Sequence, residues 1–373
     1  MREALLRPGH ARTLAMLAVV TVLMVAMAAF AVSMQRRAVT SDFEPRPVFP
    51  ELAERANEAQ RVVIRSRKET VTVERDATDP ALWRVTEKGG HPVKPQLVKR
   101  TVVGLADLEL IEARTAQPEW HKHINLTDPD DKGTGVRITV FGADDIVLAS
   151  LIAGKLEGSA DIDGSGTIYV RRTGEDQTYV ARGSFNLEQN PAAWLDTGIL
   201  TLAQGRVHHV EVTPAEGEAY VVELDGEPDL AATPGPAYRI RGLDEGLEPV
   251  TDYAINGIGN ALVGLSFIDV VAAEDRTLEA PVRSRFVTGD GLVITAEAEK
   301  QAKLYYARFR ADTTAEASEA VKAEAEALDA RLGAFVYALP TAKGADLTRA
   351  LDTLVQPREE GAVDLEAVAD PAE

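Results

Sequence analysis

Two histidine clusters are the first residues whose type and spacing could support a reaction centre. His121-Lys122-His123 and His208-His209 hold four of the six histidines, and imidazole groups are common zinc ligands. On a strand His121 and His123 would share a face, whereas on a helix they would not. No acidic residue stands at a ligand spacing such as HExxH, so these are expected to be ordinary surface or core-edge histidines. The run Asp161-Ile162-Asp163-Gly164-Ser165-Gly166 opens like a calcium loop, with Gly166 at position six and Ile168 at position eight. Position twelve is Arg172, where a bidentate Glu is required, and the flanks read as strands, so a hairpin turn is expected. Ser184 lacks the flanking glycines of a nucleophile elbow, having Arg182 and Asn186 in their place. The chain contains no Cys, which removes thiolate nucleophiles, disulfides and Cys-ligated zinc. Asp and Glu are so frequent that their spacing singles out no acid/base pair. The sequence therefore assigns no catalytic, cofactor-binding or metal-ligating residue.

The elements that would position such groups are organised around an internal similarity. Val103 to Ala113 reads VGLADLELIEA and Val263 to Ala273 reads VGLSFIDVVAA. Further matches follow in the same order: Leu82-Trp83-Arg84-Val85 with Ala237-Tyr238-Arg239-Ile240, and Phe141-Gly142-Ala143-Asp144 with Phe286-Val287-Thr288-Gly289-Asp290. Tyr169-Val170-Arg171 then matches Tyr306-Ala307-Arg308, and Leu195-Asp196-Thr197 matches Leu351-Asp352-Thr353. Ordered matches at this offset predict two tandem repeats, residues 56–205 and 206–357. In the first, β-branched or aromatic runs at 62–64, 70–73, 83–85, 136–141, 146–152, 167–171 and 178–181 read as strands. A helix is expected from Pro95, with Leu97, Val98, Val102, Leu105, Leu108 and Ile111 near helical spacing, and a short one at Pro191–Leu195. Strands grouped around one long helix, without strict βαβ alternation, indicate an α+β fold with mainly antiparallel sheets. The second repeat adds a helix over Thr314 to Leu332, with Thr313 and Glu316 as a capping box and Val321, Ala325, Leu328 and Leu332 as its apolar stripe.

Both ends differ from this pattern. Leu14 to Met34 runs 21 residues without a charge. A helix of that length is about 31 Å long and would cross a hydrocarbon core of about 30 Å. The expectation is an uncleaved single-pass anchor, with a cleaved signal peptide as the alternative because Ala29-Phe30-Ala31 fits the small-x-small rule. Arg2, Arg7 and Arg12 precede the span and Arg36 and Arg37 follow it, favouring residues 1–13 in the cytoplasm and the remainder outside it. Residues 35–55 read as a juxtamembrane linker, with a short helix beginning in Pro50 to Gln60, and residues 358–373 as a disordered acidic tail.

The net charge is −19, from 40 Lys and Arg against 59 Asp and Glu, and the first 37 residues hold five Arg against one Glu. The part beyond them is thus still more acidic and would repel nucleic-acid phosphates, so no nucleic-acid partner is expected.

Several of these features together resemble a bacterial family known as domain of unknown function 4340. The carriers are Phe49-Pro50-Glu51-Leu52, Trp83-Arg84-Val85, the Leu105/Leu108 helix, Leu126-Thr127-Asp128-Pro129, Gly154-Lys155 and Tyr169-Val170-Arg171. Family members often have Gly before that Leu, where this chain has Asn125. The resemblance covers roughly residues 50–200 and, more loosely, 206–355. It implies a membrane-anchored accessory protein of gliding-type ABC exporters and supplies no active site. The expectation is a noncatalytic extracytoplasmic binding or scaffolding subunit of an envelope complex, on the inner membrane, with an ABC transporter permease or accessory protein as partner. The alternatives are an envelope hydrolase with an unidentified site and a glycan- or lipid-binding module with its cleft between the repeats.

Overall fold

The computed structural model describes Met16 and residues 19–28, 43–131, 133–157, 166–226 and 237–358. In chain order the first half forms β1 (Arg61–Arg65), β2 (Thr70–Arg75), β3 (Trp83–Val85), β4 (His91–Pro92), helix α1 (Pro95–Ala106), β5 (Glu109–Ala113), β6 (Val136–Phe141), β7 (Val147–Glu157), β8 (Gly166–Arg172) and β9 (Thr178–Gly183). The second half forms β10 (Val207–Thr213), β11 (Tyr220–Leu224), β12 (Tyr238–Ile240), α2 (Asp252–Gly259), β13 (Asp269–Ala272), β14 (Val282–Thr288), β15 (Leu292–Gln301), β16 (Leu304–Thr313), α3 (Glu319–Leu332), β17 (Phe335–Leu339) and α4 (Thr341–Leu347). The chain is mixed α and β, and its sheets are mainly antiparallel.

Two compact units result, Met1–Glu69 with Gln96–Gln189 and Thr70–Pro95 with Asn190–Glu373. In unit one the strand order is β5-β9-β8-β7-β6-β1, with Arg46–Pro47 added outside β5. The inward side chains of its strands, such as Val62, Ile64, Ile138, Val140 and Leu151, are fully buried, as period-two alternation requires of a sheet with one covered face. Helix α1 buries Val98, Val102 and Leu105, one apolar stripe. Within 35–55, Arg46–Pro47 pairs with β5, and Val48 and Leu52 are buried.

In unit two the order is β13-β17-β16-β15-β14-β10-β11-β12. In both units, then, a four-strand meander carries the post-helical strand on its last member and the first strand of the set on its first member. Phe286, Ile294, Ala296, Phe309, Val336 and Tyr337 fill the core of unit two. The β2-β3-β4 ribbon also belongs to unit two, where Val93 bridges to Leu195 and Lys88 pairs with Asp269 at 2.6 Å.

Several expected elements are corrected. The helix beginning at Pro95 does not reach Ile111. It stops at Ala106, where the Asp107 amide makes the last helical bond to the Val103 carbonyl, and residues 109–113 form β5. Leu108 and Leu110 are both fully buried at a spacing of two, the strand period, whereas the helical stripe would have continued from Leu108 to Ile111; Leu108 alone fits both. Val263 to Ala273 likewise holds a turn, the strand Leu265–Ser266 and β13, with its helix α2 upstream. Helix α3 starts at Glu319, not Thr314. Ser318 caps it by accepting from the Val321 amide, while β16 continues through Thr313 in register with Leu292. The helix expected in Pro50 to Gln60 is one turn, Leu52–Arg55, followed by a 3-10 turn, Ala56–Glu58.

The expected span 14–34 lies partly outside the described residues, and the tail beyond Arg358 wholly outside them. Among the described residues, Met16 and 19–28 are helical, and no helix is long and apolar enough to cross a membrane.

Candidate functional site

The two histidine clusters occupy separate local settings. His121 and His123 sit on a 3-10 helix, Pro118–Ile124. His121 is buried with Nε2 2.9 Å from the Asp176 carbonyl oxygen, and His123 lies against the Trp120 ring at 5.4 Å between centroids. His208 and His209 are successive residues of β10 and therefore point to opposite faces. His209 Nε2 is 3.6 Å from Glu211 Oε1, and burial lowers its pKa. Among the described residues no group of three His, Asp or Glu is placed to hold a metal. Asp161 to Ser165 fall outside the described residues; Arg172, the would-be twelfth ligand, donates to the Val48 carbonyl at 2.7 and 3.0 Å. Ser184 follows β9, and its carbonyl oxygen lies where a Cβ on Gly104 would fall.

The residues around Leu126 and Arg171 converge on one structural knot in unit one. The buried Arg171 guanidinium donates to the Leu126 carbonyl at 3.2 and 3.3 Å and to the Glu175 carbonyl at 2.8 Å. Asn125, just before Leu126, has φ 58° and ψ 37°. This left-handed conformation explains why Gly serves well there and why Asn, the side chain that tolerates it best, can replace it. Gly154 is required for close approach, because a Cβ there would run into the Ile124 carbonyl oxygen. Arg137 ties Asp128 and Asp130 to β6, and Arg65 adds an ion pair to Asp130 at 2.7 Å. Burial tends to raise the Asp128 pKa, but the Asp130 amide and the Arg137 guanidinium outweigh it and hold the carboxyl below its usual range. This knot fixes loops; it offers no nucleophile and no acid/base pair.

Two concavities carry the chemistry that the sequence did not reveal. In unit one an open trough of about 470 Å³ is lined by Arg114, Thr115, Gln117, Trp120, His123 and Tyr169, with Trp120 54% exposed. Arg114 bridges Glu112 at 2.9 Å and Glu157 at 2.8 Å, and Tyr169 donates to the same Glu157 at 2.7 Å. The Trp face and the polar rim could stack and hydrogen-bond a planar or sugar-like group.

In unit two a deeper cavity of about 720 Å³ is bordered by Arg84, His91, Asp196, Arg331, Phe335 and Tyr337. His91, on β4, is only 6% exposed and packs edge-on against Phe267, Phe335 and Tyr337 at 4.9–6.1 Å between centroids. Its Nδ1 is 3.0 Å from the Pro92 carbonyl oxygen, which can only accept, so Nδ1 carries the ring proton. Burial lowers the His91 pKa; the hydrogen bond to the Pro92 carbonyl and the nearby Asp196 oppose it, and Arg84 and Arg331 add to it. In the neutral ring, Nε2 is therefore the acceptor. A lone His followed by Pro in a short strand gives no motif, and its aromatic neighbours come from sequence positions some 175 to 245 residues away, so only the fold reveals the site.

The architecture defines a two-unit α+β protein built on antiparallel meanders. Residues 83–281, more than half of the chain, match the family described as Domain of unknown function (DUF4340), and the chain belongs to that family. The match takes in the Leu126–Pro129, Gly154 and Arg171 positions of the knot and leaves Phe49-Pro50-Glu51-Leu52 outside it. No curated protein and no solved structure matches the chain.

Proposed function

We propose that this chain is a noncatalytic binding or scaffolding subunit of an envelope complex, anchored by residues 14–34, with its folded units outside the cytoplasm and an ABC-type exporter permease as partner. The observation that carries the reading is the character of helical residues 19–28. Val22, Leu23, Met24 and Val25 are four successive apolar side chains, each 56–68% exposed. Four successive residues cover every side of a helix, so over these residues the helix has no polar face to turn to water. A helix that is apolar all round suits a hydrocarbon phase, and the uncharged sequence on both sides extends it. The common strand order of the two sheets, with the ordered sequence matches, supports an origin of the two meanders by duplication of one unit.

Affinity capture of the full chain from solubilised membranes tests the reading, together with a periplasm-active reporter fused after Arg55. Recovery of a transporter permease, with an active reporter and full-length protein in the membrane, is the expected result. A soluble product beginning at Val32, or capture that yields no transport protein, would overturn it.

A further inference from the structure

The cavity of unit two presents charges that the fold itself leaves unused. Arg84 is committed: its Nε pairs with Asp76 and its Nη1 donates to the Gly90 carbonyl at 2.9 Å. Arg331, in the last turn of α3, makes no side-chain hydrogen bond or ion pair among the described residues, and neither does the Asp196 carboxylate. His91 lines the same space with its Nδ1 occupied and its Nε2 without a partner among the described residues, although the residue is more than nine-tenths buried. The remaining wall is apolar, from Ile199, Leu332, Phe335 and Tyr337.

A ligand that satisfies this surface needs a carboxylate for one end, a donor-rich cation for the other, and an apolar body. A purely anionic ligand would leave Asp196 repelling it at the rim, and a purely cationic one would leave Arg331 doing so. We propose that this cavity binds a small zwitterion, a free amino acid or short peptide with an apolar side chain. Arg331 takes its carboxylate through paired N–H donors, Asp196 and Nε2 of His91 accept from its ammonium, and the aromatic wall takes its side chain. The aromatic rings also attract the ammonium. The volume of about 720 Å³ falls in the range of about 300–1,000 Å³ usual for small-molecule sites. The proposal extends the binding reading above but requires neither the anchor nor the exporter, so permease capture and ligand binding can fail separately.

Titration calorimetry on the full chain in detergent micelles decides it, using L-leucine, L-phenylalanine and the dipeptide Leu-Gly as probes. Phenethylamine and 3-phenylpropionate, each carrying one of the two charges, serve as controls. At least one zwitterion is expected to bind about tenfold or more tightly than either control, a loss on the scale of one charged hydrogen-bonding contact. R331Q should weaken the zwitterion by about tenfold and should not weaken phenethylamine, from which it removes a repelling cation. D196N should weaken the zwitterion and should not weaken 3-phenylpropionate, from which it removes a repelling anion. H91F keeps the aromatic box and removes the acceptor, again with loss of affinity; if it fails to fold, the two variants at exposed positions carry the test. No binding by any of the three zwitterions, controls that bind as tightly as they do, or unchanged affinity in both R331Q and D196N would overturn the proposal.

Discussion

The two antiparallel sheets follow one strand order but differ at the connection into the last meander strand. Unit one goes from β8 to β9 through the tight turn 173–177, whereas unit two inserts the 14-residue helix α3 between β16 and β17. The sequence-matched arginines make the consequence visible. Arg171 on β8 is buried and gives three hydrogen bonds to two carbonyls, closing the loop that follows β5. Arg308 on β16 reaches the Ala273 carbonyl, just past β13, at 3.4 Å, and its Nε is buried without a partner among the described residues. One unit uses its arginine to lock a loop. The other has placed a helix over the region and obtained a cavity whose wall includes Ala327, Ala330, Arg331 and Leu332.

The sharpest test of that difference compares the two arginines. Arg171→Ala leaves the buried Leu126 carbonyl unpaired and frees the Asn125–Pro129 loop, so a loss of about 3 kcal/mol is expected from a buried, charged hydrogen-bonding group. Arg308→Ala should cost about 1 kcal/mol. Urea unfolding of the two variants checks this, and equal losses would remove the distinction between a locked and an opened unit.

The docking of α3 comes next in size. Arg206 donates to Glu324 of α3 at 2.7 and 2.8 Å and to Asp290 at 2.9 Å. Its hydrogen bond to Glu324 and the nearby Asp290 raise the guanidinium pKa, while Arg206 lowers that of Glu324. Because the group is partly solvated, Arg206→Ala should cost only about 1 kcal/mol overall. The loss should concentrate in amide exchange of α3, accelerated there and unchanged in unit one. Uniform acceleration across the chain would show that α3 is not held locally.

Much of unit one is legible in the sequence, because β-branched alternation marks β1, β6, β8 and β9 and the Pro95 helix start is correctly placed. Errors fall where one residue fits two periods, as Leu108 does between the helical set ending at Ile111 and the strand pair with Leu110, or where two caps compete, as with Thr313 and Ser318. The cavity of unit two is not legible. It joins a two-residue strand to aromatic side chains from β17 and the stretch before β13, and no local spacing encodes that meeting.

Acidification should distinguish the units in a graded way. Burial holds the His91 pKa below its ordinary 6.5, with Arg84 and Arg331 acting in the same direction and the Pro92 hydrogen bond and Asp196 against them. The unfolded imidazole therefore binds a proton that the folded one resists, and stability rises with pH across this interval. The contribution is complete above about pH 6.5 and is lost as pH falls through the lower folded value. The urea midpoint of unit two should drop between about pH 7 and pH 5, and H91F should flatten that drop. A drop unchanged in H91F would assign it to other groups.

The smallest effect concerns Asn125, which holds φ 58° at the end of the 3-10 helix. Only Gly adopts this region without a Cβ penalty, and Asn is the most tolerant of the others. Asn125→Ala should destabilise by about 1 kcal/mol, the cost of placing an ordinary side chain in the left-handed region. Asn125→Gly relieves that strain and gives up unfolded-state restriction, two terms that oppose each other, so a net change within about 0.5 kcal/mol is expected. Because the Leu126 amide bonds to the His121 carbonyl and the Leu126 carbonyl receives Arg171, strain at Asn125 is transmitted into the knot of unit one. Asn125→Ala and Arg171→Ala should therefore be less than additive in a double-mutant cycle. Full additivity would mean that the turn and the arginine stabilise unit one independently, and that the left-handed position serves only its own helix end.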